Sequence, residues 1–392
     1  MIKSKSSPLP KLNRSMLITL KGAGIIDIRQ EEMALNAISP YYTMFPLSFP
    51  MNLLRGASRY DRVLDPFCGR GTTNFAARLL GLESFGFDNN NVAVAITKAK
   101  LVKVSPVEVV DECKEILQEG RNANVKMPTG DFWELAYFPD TLTDICILRE
   151  ELIERCNTDV RVALRAIIMG GLHGPLGKHT YSYLSNQMPR TYATKPGSAV
   201  RYWKQHKMFP KKVDLLEVVK KRANRYYAHT PQKVNSNAIV HDSRKDYSEY
   251  NIGRFDWIIT SPPYFGMTTY STDQWLRDWF LGGTDYPSYV GKNKIASGGL
   301  NKFRDDLFLV WRNVAGLSND KARLIVKFGA LPSMPYDHVK TITDSIEKND
   351  SGWKIVRIRD GGLSEDGLRQ SSQFLSETKN SIREIDVYAI KE

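Results

Sequence analysis

The stretch YDRVLDPFCGRGTTNFAARLLGLESFGFDNNNVAVAITKAK, residues 60–100, constrains the fold more than any other part of the chain. Arg62-Val63-Leu64 reads as a short strand, and Gly69 to Gly71 form a tight turn. Thr72 to Leu80 reads as a helix closed by Gly81. Ser84 to Phe87 follows as a second strand ending on Asp88, and another helix covers roughly 91–101. Strand-helix-strand-helix order requires crossover connections, which place helices over a parallel sheet. The same apolar signal resumes at Ala238-Ile239-Val240, Phe255 to Ile259, Arg323 to Phe328, Trp353 to Ile358 and Ile385 to Ile390. The last two runs lack an evident intervening helix, so they read as an antiparallel pair at one edge. The expected fold is therefore α/β: a Rossmann-like seven-stranded sheet with an antiparallel last strand pair and a mainly helical insertion after the second strand.

The chain has 392 residues, more than one compact core usually holds, so two lobes or one elaborated domain are expected. Residues 1–104 and 236–392 read as one domain, with 1–38 an N-terminal arm, and 105–235 as an insertion. The insertion shows a helical stretch over 141–169 closed by Gly170-Gly171. A loop-rich aromatic and basic section comes next, and then a helix over about 212–227. A net charge of +12 points to a polyanionic partner. The four cysteines, Cys68, Cys113, Cys146 and Cys156, are scattered without a C-x-x-C, so neither a zinc site nor a disulfide framework is expected. No apolar run approaches the roughly 18 residues of a membrane span. The N-terminus lacks a signal-peptide core, so a cytoplasmic location is expected.

The sequence DPFCGRGTT, 65–73, follows a strand and opens a helix, the setting in which a glycine-rich turn carries meaning. Gly69 and Gly71 allow close backbone approach, and the helix behind them presents free N–H groups. There is no Lys-Ser/Thr pair to cradle a triphosphate. Asp88 closes the next strand about twenty residues on, where a carboxylate can take ribose hydroxyls. Asp242, in IVHDSR, closes another strand and is placed to accept a bond from an adenine amino group. Three strand-end acids beside such a turn suit an adenosine-bearing cofactor with a cationic tail. The competing reading is that Asp65 and Asp242 cap the helices after their strands.

TSPPY, 260–264, ends the apolar run Trp257-Ile258-Ile259. Ligands in open α/β sheets sit outside the carboxyl ends of the strands. Prolines lack N–H donors and fix φ, so this turn presents carbonyl acceptors without competing donors. The Ser261 oxygen and the Pro262 carbonyl can accept the two hydrogens of an exocyclic amine, and Pro263 stiffens the turn. That arrangement favours pyramidalisation of the nitrogen and aims its lone pair at an electrophilic methyl, by positioning and electrostatics. Tyr264 offers a face for stacking an extruded base, worth roughly 1–3 kcal/mol. A plain Pro-Pro turn with a packed tyrosine is the bland alternative.

Together these stretches resemble the amino-DNA methyltransferases, which use S-adenosylmethionine to methylate N4 of cytosine or N6 of adenine. DPFCGRGTT looks like their cofactor motif and TSPPY like their catalytic (D/N/S)-P-P-Y. SPYYTMFPLSFPMNLL, 39–54, looks like the motif that precedes the glycine turn in part of the family. LRQSSQF and REIDVYAI look like its C-terminal elements. The resemblance covers about 40–100 and 236–392 and implies a methyltransferase sheet. It implies a cofactor set of Phe45, Pro46, Asp65, Phe67 (beside the methionine portion), Gly69, Gly71, Thr72, Thr73, Asp88, Asn89 and Asp242. Ser261, Pro262, Pro263 and Tyr264 form the catalytic set, and no metal is implied.

Family members carry a variable target-recognition region, for which 105–235 is the candidate. Residues 195–225 hold ten Lys and Arg against two acids, with Tyr192, Tyr202, Trp203, Tyr226 and Tyr227 in or beside them. Basic side chains interleaved with aromatics suit phosphate contact and base insertion. Arg190, Lys195, Arg201, Lys204, Lys207, Lys211 and Lys212 are the candidate DNA contacts. The alternative is a solvated helix face over an aromatic core. His173 and His179 lack partners at metal-ligand spacing and read as loop or phosphate-contacting residues. Serine at 261 favours cytosine N4, with adenine N6 and then RNA guanine N2 as alternatives. A non-enzymatic DNA-binding module is a further, weaker reading. Double-stranded DNA is the expected partner, with a cognate restriction nuclease in a restriction-modification or related defence system. A monomer is expected.

Overall fold

The computed structural model describes residues 15–20, 24–41, 45–121, 124–174, 182–185, 195–266, 274–287, 295, 298–330, 336–363 and 383–392. Arg190, His179, Tyr192 and the LRQSSQF stretch lie outside these residues. An antiparallel hairpin of β1 (Ser15–Leu20) and β2 (Gly24–Arg29) comes first, where only an arm is expected from the sequence. The main sheet contains β3 (Val63–Asp65), β4 (Ser84–Asp88), β5 (Asn237–Val240), β6 (Phe255–Thr260), β7 (Ser318–Gly329), β8 (Trp353–Leu363) and β9 (Arg383–Lys391). Their order is β5-β4-β3-β6-β7-β9-β8, parallel from β5 to β7, with β9 antiparallel to both of its neighbours. All seven strands fall where the sequence places them.

Burial on both faces explains why these strands read as apolar runs. Val63, Trp257, Ile259 and Ile325 enter one core, while Leu64, Ile258, Leu324 and Val326 enter a second on the other face. The first face is covered by α1 (Ser48–Leu54), α2 (Thr72–Leu79) and α3 (Asn91–Leu101). Six helices follow: α4 (Pro106–Gly120), α5 (Asp131–Ala136), α6 (Pro139–Glu154), α7 (Asp159–Gly171), α8 (Pro196–Gln205) and α9 (Leu215–Tyr227). After β6 come α10 (Trp275–Phe280), α11 (Leu300–Gly316) and α12 (His338–Ile346). The last two cover the second face, with Trp311 and Ile342 fully buried there.

Helix α4 begins where the sequence S-P-V-E supplies both halves of a capping box. Ser105 Oγ accepts from Glu108 N–H at 3.2 Å, and Glu108 accepts from Ser105 N–H at 2.7 Å. The single helix expected over 141–169 is two, α6 and α7, broken before Thr158, whose hydroxyl caps α7. Helices α4–α9 share the core of α1–α3. Tyr227 donates its hydroxyl to the Ala99 carbonyl at 2.8 Å. The Arg78 guanidinium donates to the carbonyls of Val102, Pro231 and Gln232 at 2.9, 2.7 and 3.0 Å. The insertion is therefore fastened at its entry and at its exit. No helix among the described residues is long and apolar enough to cross a membrane.

Candidate active site

The chain runs outward from β3 through β4 to β5, then returns to β6 on the other side of β3. That reversal makes the carboxyl ends of β3 and β6 the switch point at which an open α/β sheet presents a ligand crevice. DPFCGRGTT leaves β3 there and TSPPY leaves β6 there, with Leu64 opposite Ile258. The two motifs, 195 residues apart, are bonded directly: Thr260 donates its hydroxyl to Asp65 Oδ1 at 2.6 Å. Thr73, at the start of α2, donates to the Ile259 carbonyl at 3.1 Å.

Glycine is required within the turn. Gly69 and Gly71 have φ of +50° and +72°, and a Cβ on Gly71 would stand 2.6 Å from Thr97. Gly69 donates its N–H to Asp88 Oδ2 at 2.9 Å, and Asn90 donates to Oδ1 at 2.9 Å. Asp88 therefore shapes the turn with one lone pair on each oxygen and keeps others for a hydroxyl donor. No side chain caps α2 behind Gly71. Thr72 is buried at the head of that helix, and Asn89 is exposed next to Asp88. Tyr41, unremarked in the sequence, lies 3.7 Å from where a Gly69 Cβ would be and 3.4 Å from Asn90 Nδ2. The leading motif thus walls the turn. Phe45 is buried and Pro46 exposed at the entry to α1.

Both strand-end acids are held in low-dielectric surroundings. Burial pushes Asp65 up to about 7 against the bonds from Thr260 and Phe67, and pushes Asp88 up to about 6. An acid in that condition is stabilised in its charged form by a bound cation. Asp242 differs from the sequence expectation. Arg244, two residues on, engages both its oxygens with a guanidinium fork at 2.6–3.1 Å and also reaches Asp306 at 3.1 Å. Phe67 is half-buried and meets Trp311 edge-on at 6.3 Å. Ser243 closes the floor by donating to the Pro66 carbonyl at 2.7 Å.

At the other motif, Ser261 is 8% exposed, and its hydroxyl has no hydrogen-bond partner among the described residues. Pro262 is buried and Pro263 half-buried. Tyr264 departs from expectation. It is fully buried, edge-on to Phe328 at 5.6 Å, with its hydroxyl donating to Glu384 Oε1 at 2.7 Å. No face is offered for stacking in this conformation. The half-buried aromatic of the turn is Phe265, packed on Phe303 and Tyr336.

The basic candidates Lys195, Arg201, Lys204, Lys207, Lys211 and Lys212 are all exposed, at the N-cap of α8, on the helix and on the loop after it. Lys204 pairs with Asp131 at 2.5 Å and Lys212 with Asp140 at 2.7 Å. The interleaved aromatics are mostly core: Trp203, Tyr226 and Tyr227 are at most 5% exposed. Phe209, in the same loop, is 70% exposed and escaped notice in the sequence. His173 is buried against Ser185 at 3.1 Å and is not a phosphate contact. Among the described residues no group of acids, histidines and cysteines could hold a metal ion.

Fold and site together define a Rossmann-like α/β sheet whose switch point brings a glycine turn and a Pro-Pro turn side by side. Residues 26–99 match the N6/N4 methyltransferase family model described as DNA methylase, from β2 through α3. That match supports the amino-DNA methyltransferase family over the cofactor side of the chain and stops short of TSPPY. Comparison with curated protein sequences gives no match. Among solved structures, TrmN from Thermus thermophilus is similar at 9% identity and TM-score 0.36, over 94% of this chain and 56% of that one. TehB from Haemophilus influenzae aligns at 9% identity and TM-score 0.35, over 93% and 68% of the two chains. The rRNA methyltransferase aviRa from Streptomyces viridochromogenes aligns at 11% and 0.33, over 92% of each. This chain thus spans little more than half the length of the TrmN structure.

The cofactor of a methylase is S-adenosylmethionine, which carries a sulfonium and an ammonium. The residues present fit it: a buried and a half-buried acid, both with raised pKa, an uncapped helix start behind two glycines, and a half-buried phenylalanine beside them.

Proposed function

We propose that the chain is a DNA methyltransferase that acts on the exocyclic N4 amine of cytosine, with S-adenosylmethionine as donor. The observation that carries the reading is the Ser261 hydroxyl, buried without a hydrogen-bond partner among the described residues, beside a turn that can host the donor. A buried hydroxyl in that state loses the free energy of a hydrogen bond until a ligand provides one. An amine brought to it donates one hydrogen to Ser261 Oγ and a second to the Pro262 carbonyl. The cofactor supplies an electrophilic methyl group. Asp65 and Asp88 provide negative charge for the cationic donor, and the α2 start provides N–H groups. No general base is required, because the alkylated ammonium loses its proton to water readily.

A base inside a duplex cannot reach this crevice, so it must be flipped out at a cost of a few kcal/mol. Exposed lysines on α8 and the following loop suit the phosphates around such a site. The half-buried ring of Phe265, rather than Tyr264, is the surface at this turn on which a base can rest. A role beside a restriction nuclease is consistent with a sequence-reading modification enzyme.

Nucleoside mass spectrometry tests the reading directly. Unmethylated DNA incubated with the protein and methyl-labelled S-adenosylmethionine is expected to yield N4-methylcytosine, lost in Ser261→Ala. Labelled N6-methyladenine instead keeps the mechanism and overturns the base assignment. Label on RNA alone refutes the DNA substrate.

A further inference from the structure

The buried groups behind Tyr264 form a cluster that the cofactor and amine contacts do not use. Glu384, 4% exposed on β9, accepts the Tyr264 hydroxyl. Lys327, 4% exposed on β7, stands 3.6 Å from Glu384 Oε2 and 2.6 Å from Asp386 Oδ1. The same ammonium lies 4.5 Å from the centroid of the Phe49 ring, on α1. Phe49 packs on Phe45, of the cofactor-side motif, at 5.2 Å between centroids. Space is reserved for this arrangement: a Cβ on Gly361, in β8, would approach Lys327 Nζ and the Glu384 backbone to 3.0 Å.

A buried lysine is costly to keep charged, and an isolated buried glutamate equally so. A core needing only volume would place apolar residues at both positions. Here one ammonium is shared between Asp386 and Glu384, and Glu384 keeps its other carboxylate oxygen for the tyrosine. Tyr264 is next to Pro263, and two prolines leave the turn little rotational freedom, so fixing the tyrosine fixes the direction of the Pro262 carbonyl and of Ser261. The Lys327 ammonium joins that anchor to the wall formed by Phe45 and Phe49.

Resting on the transfer reading above, we infer that Glu384 and Lys327 are positioning residues for methyl transfer: through the Tyr264 hydroxyl and Phe49 they hold the amine-accepting turn in register with the cofactor wall. Neither touches substrate. Their loss acts on the geometry of the transfer step and leaves cofactor affinity largely intact.

Transfer of label from S-adenosylmethionine to unmethylated genomic DNA is measured for the full chain and its variants, with folding checked by circular dichroism. Tyr264→Phe and Glu384→Met are each expected to lower kcat by about tenfold or more, as loss of a charge-assisted hydrogen bond implies, with KM for the cofactor changed by less than about twofold. The Tyr264→Phe/Glu384→Met double variant is expected to be no slower than either single one, because both remove the same bond. Glu384→Gln keeps an acceptor for the hydroxyl and is expected to recover most of the lost rate. Lys327→Met is expected to be slow, and adding Glu384→Gln to relieve it in part, since Asp386 keeps its charge without the ammonium. Folded single variants with wild-type kcat, additive effects in the double variant, or a change confined to KM would each overturn the inference while the transfer reading stands. If Lys327→Met does not fold, Tyr264→Phe, which removes a single oxygen, decides the matter. A wild-type chain that labels no DNA removes the transfer reading, and the inference with it.

Discussion

Asp65 offers a prediction in which stability and binding move in opposite directions. Its side chain is 2% exposed, and burial raises its pKa to about 7, against about 3.9 for an unfolded chain. The sign follows from proton uptake. Below about pH 4 the carboxyl is protonated in both states and costs nothing. As pH rises toward 7, the unfolded chain gives up its proton freely and the folded one does not, so stability falls. A shift of about three units, at 1.36 kcal/mol each, amounts to about 4 kcal/mol lost by pH 8. Asp65→Asn removes that cost while its amide oxygen still accepts from Thr260 and Phe67. The variant is therefore expected to match wild type near pH 4.5 and to exceed it by about 2–4 kcal/mol at pH 8, read from urea unfolding of the cofactor-free protein.

Cofactor affinity should do the reverse. With a pKa near 7, Asp65 is about one-tenth ionised at pH 6 and about nine-tenths at pH 8, so wild-type affinity tightens about tenfold across that interval if the ionised form binds. Asp88, near 6, adds a factor of about two. Titration calorimetry on wild type and Asp65→Asn side by side cancels ionisation of the ligand's own amine. The reasoning is refuted if Asp65→Asn is less stable than wild type at pH 8. It is equally refuted if the ratio of the two affinities does not change between pH 6 and pH 8.

Ser261→Ala should slow transfer by about 10²- to 10³-fold, the range seen when one preorganised polar contact is removed, with cofactor affinity unchanged by calorimetry. Gly71→Ala and Gly81→Ala form a matched pair, since both glycines have φ of +72°. Gly81 has open space and should lose about 1–2 kcal/mol of stability from the left-handed backbone alone. Gly71 meets Thr97 at 2.6 Å, and its variant should lose more stability and most cofactor binding, by thermal melts with and without ligand. Lys207→Ala and Lys211→Ala should each reduce the slope of log affinity for DNA against log salt by about one, by fluorescence anisotropy. Lys204 and Lys212 already face Asp131 and Asp140, so their slopes should fall by less. Phe209→Ala should weaken DNA binding without changing the slope, because it removes a ring and no charge.

The parts legible in the sequence share one property: their signal is local. Strands buried on both faces, such as Phe255–Thr260, read as short apolar runs because neither face tolerates polar side chains. The turn at Gly69 and Gly71 is legible because only glycine takes its backbone cheaply. Helix α8 was hidden because it opens on Pro196-Gly197 inside a run rich in turn formers, and is held by burial of Ala199 and Trp203. The hairpin β1–β2 does carry a local signal, the apolar runs 16–20 and 25–28 on either side of Gly22 and Gly24, which a reading as an arm passes over. Side-chain direction was not legible at all. Asp242 and Arg244 are two residues apart, yet nothing in HDSR says that the fork closes back on its own acid. Tyr264 reads as a stacking ring until Glu384, 120 residues away, is seen to hold its hydroxyl.

What makes the site a unit is the lacing of four strands at one turn. Phe87, in β4, accepts the N–H of Cys68 at 2.9 Å. Ser243, just past β5, donates to the carbonyl of Pro66, while Ile259 and Thr260 of β6 bond Thr73 and Asp65. Each bond joins one end of the cofactor turn to a strand fixed by the sheet. The acceptor motif is thereby held against the donor turn by side chains that belong to the motifs themselves. Thr260 matters most in this respect, because its hydroxyl bonds the very acid whose charge a cationic donor requires. That bond favours the ionised carboxyl, so removing the Thr260 hydroxyl should raise the Asp65 pKa further and shift the pH at which the cofactor binds upward. In Thr260→Val the expected result is an alkaline displacement of the affinity profile with the same limiting affinity at high pH. An unmoved profile would show that the two motifs are neighbours in the sheet without being coupled in their chemistry.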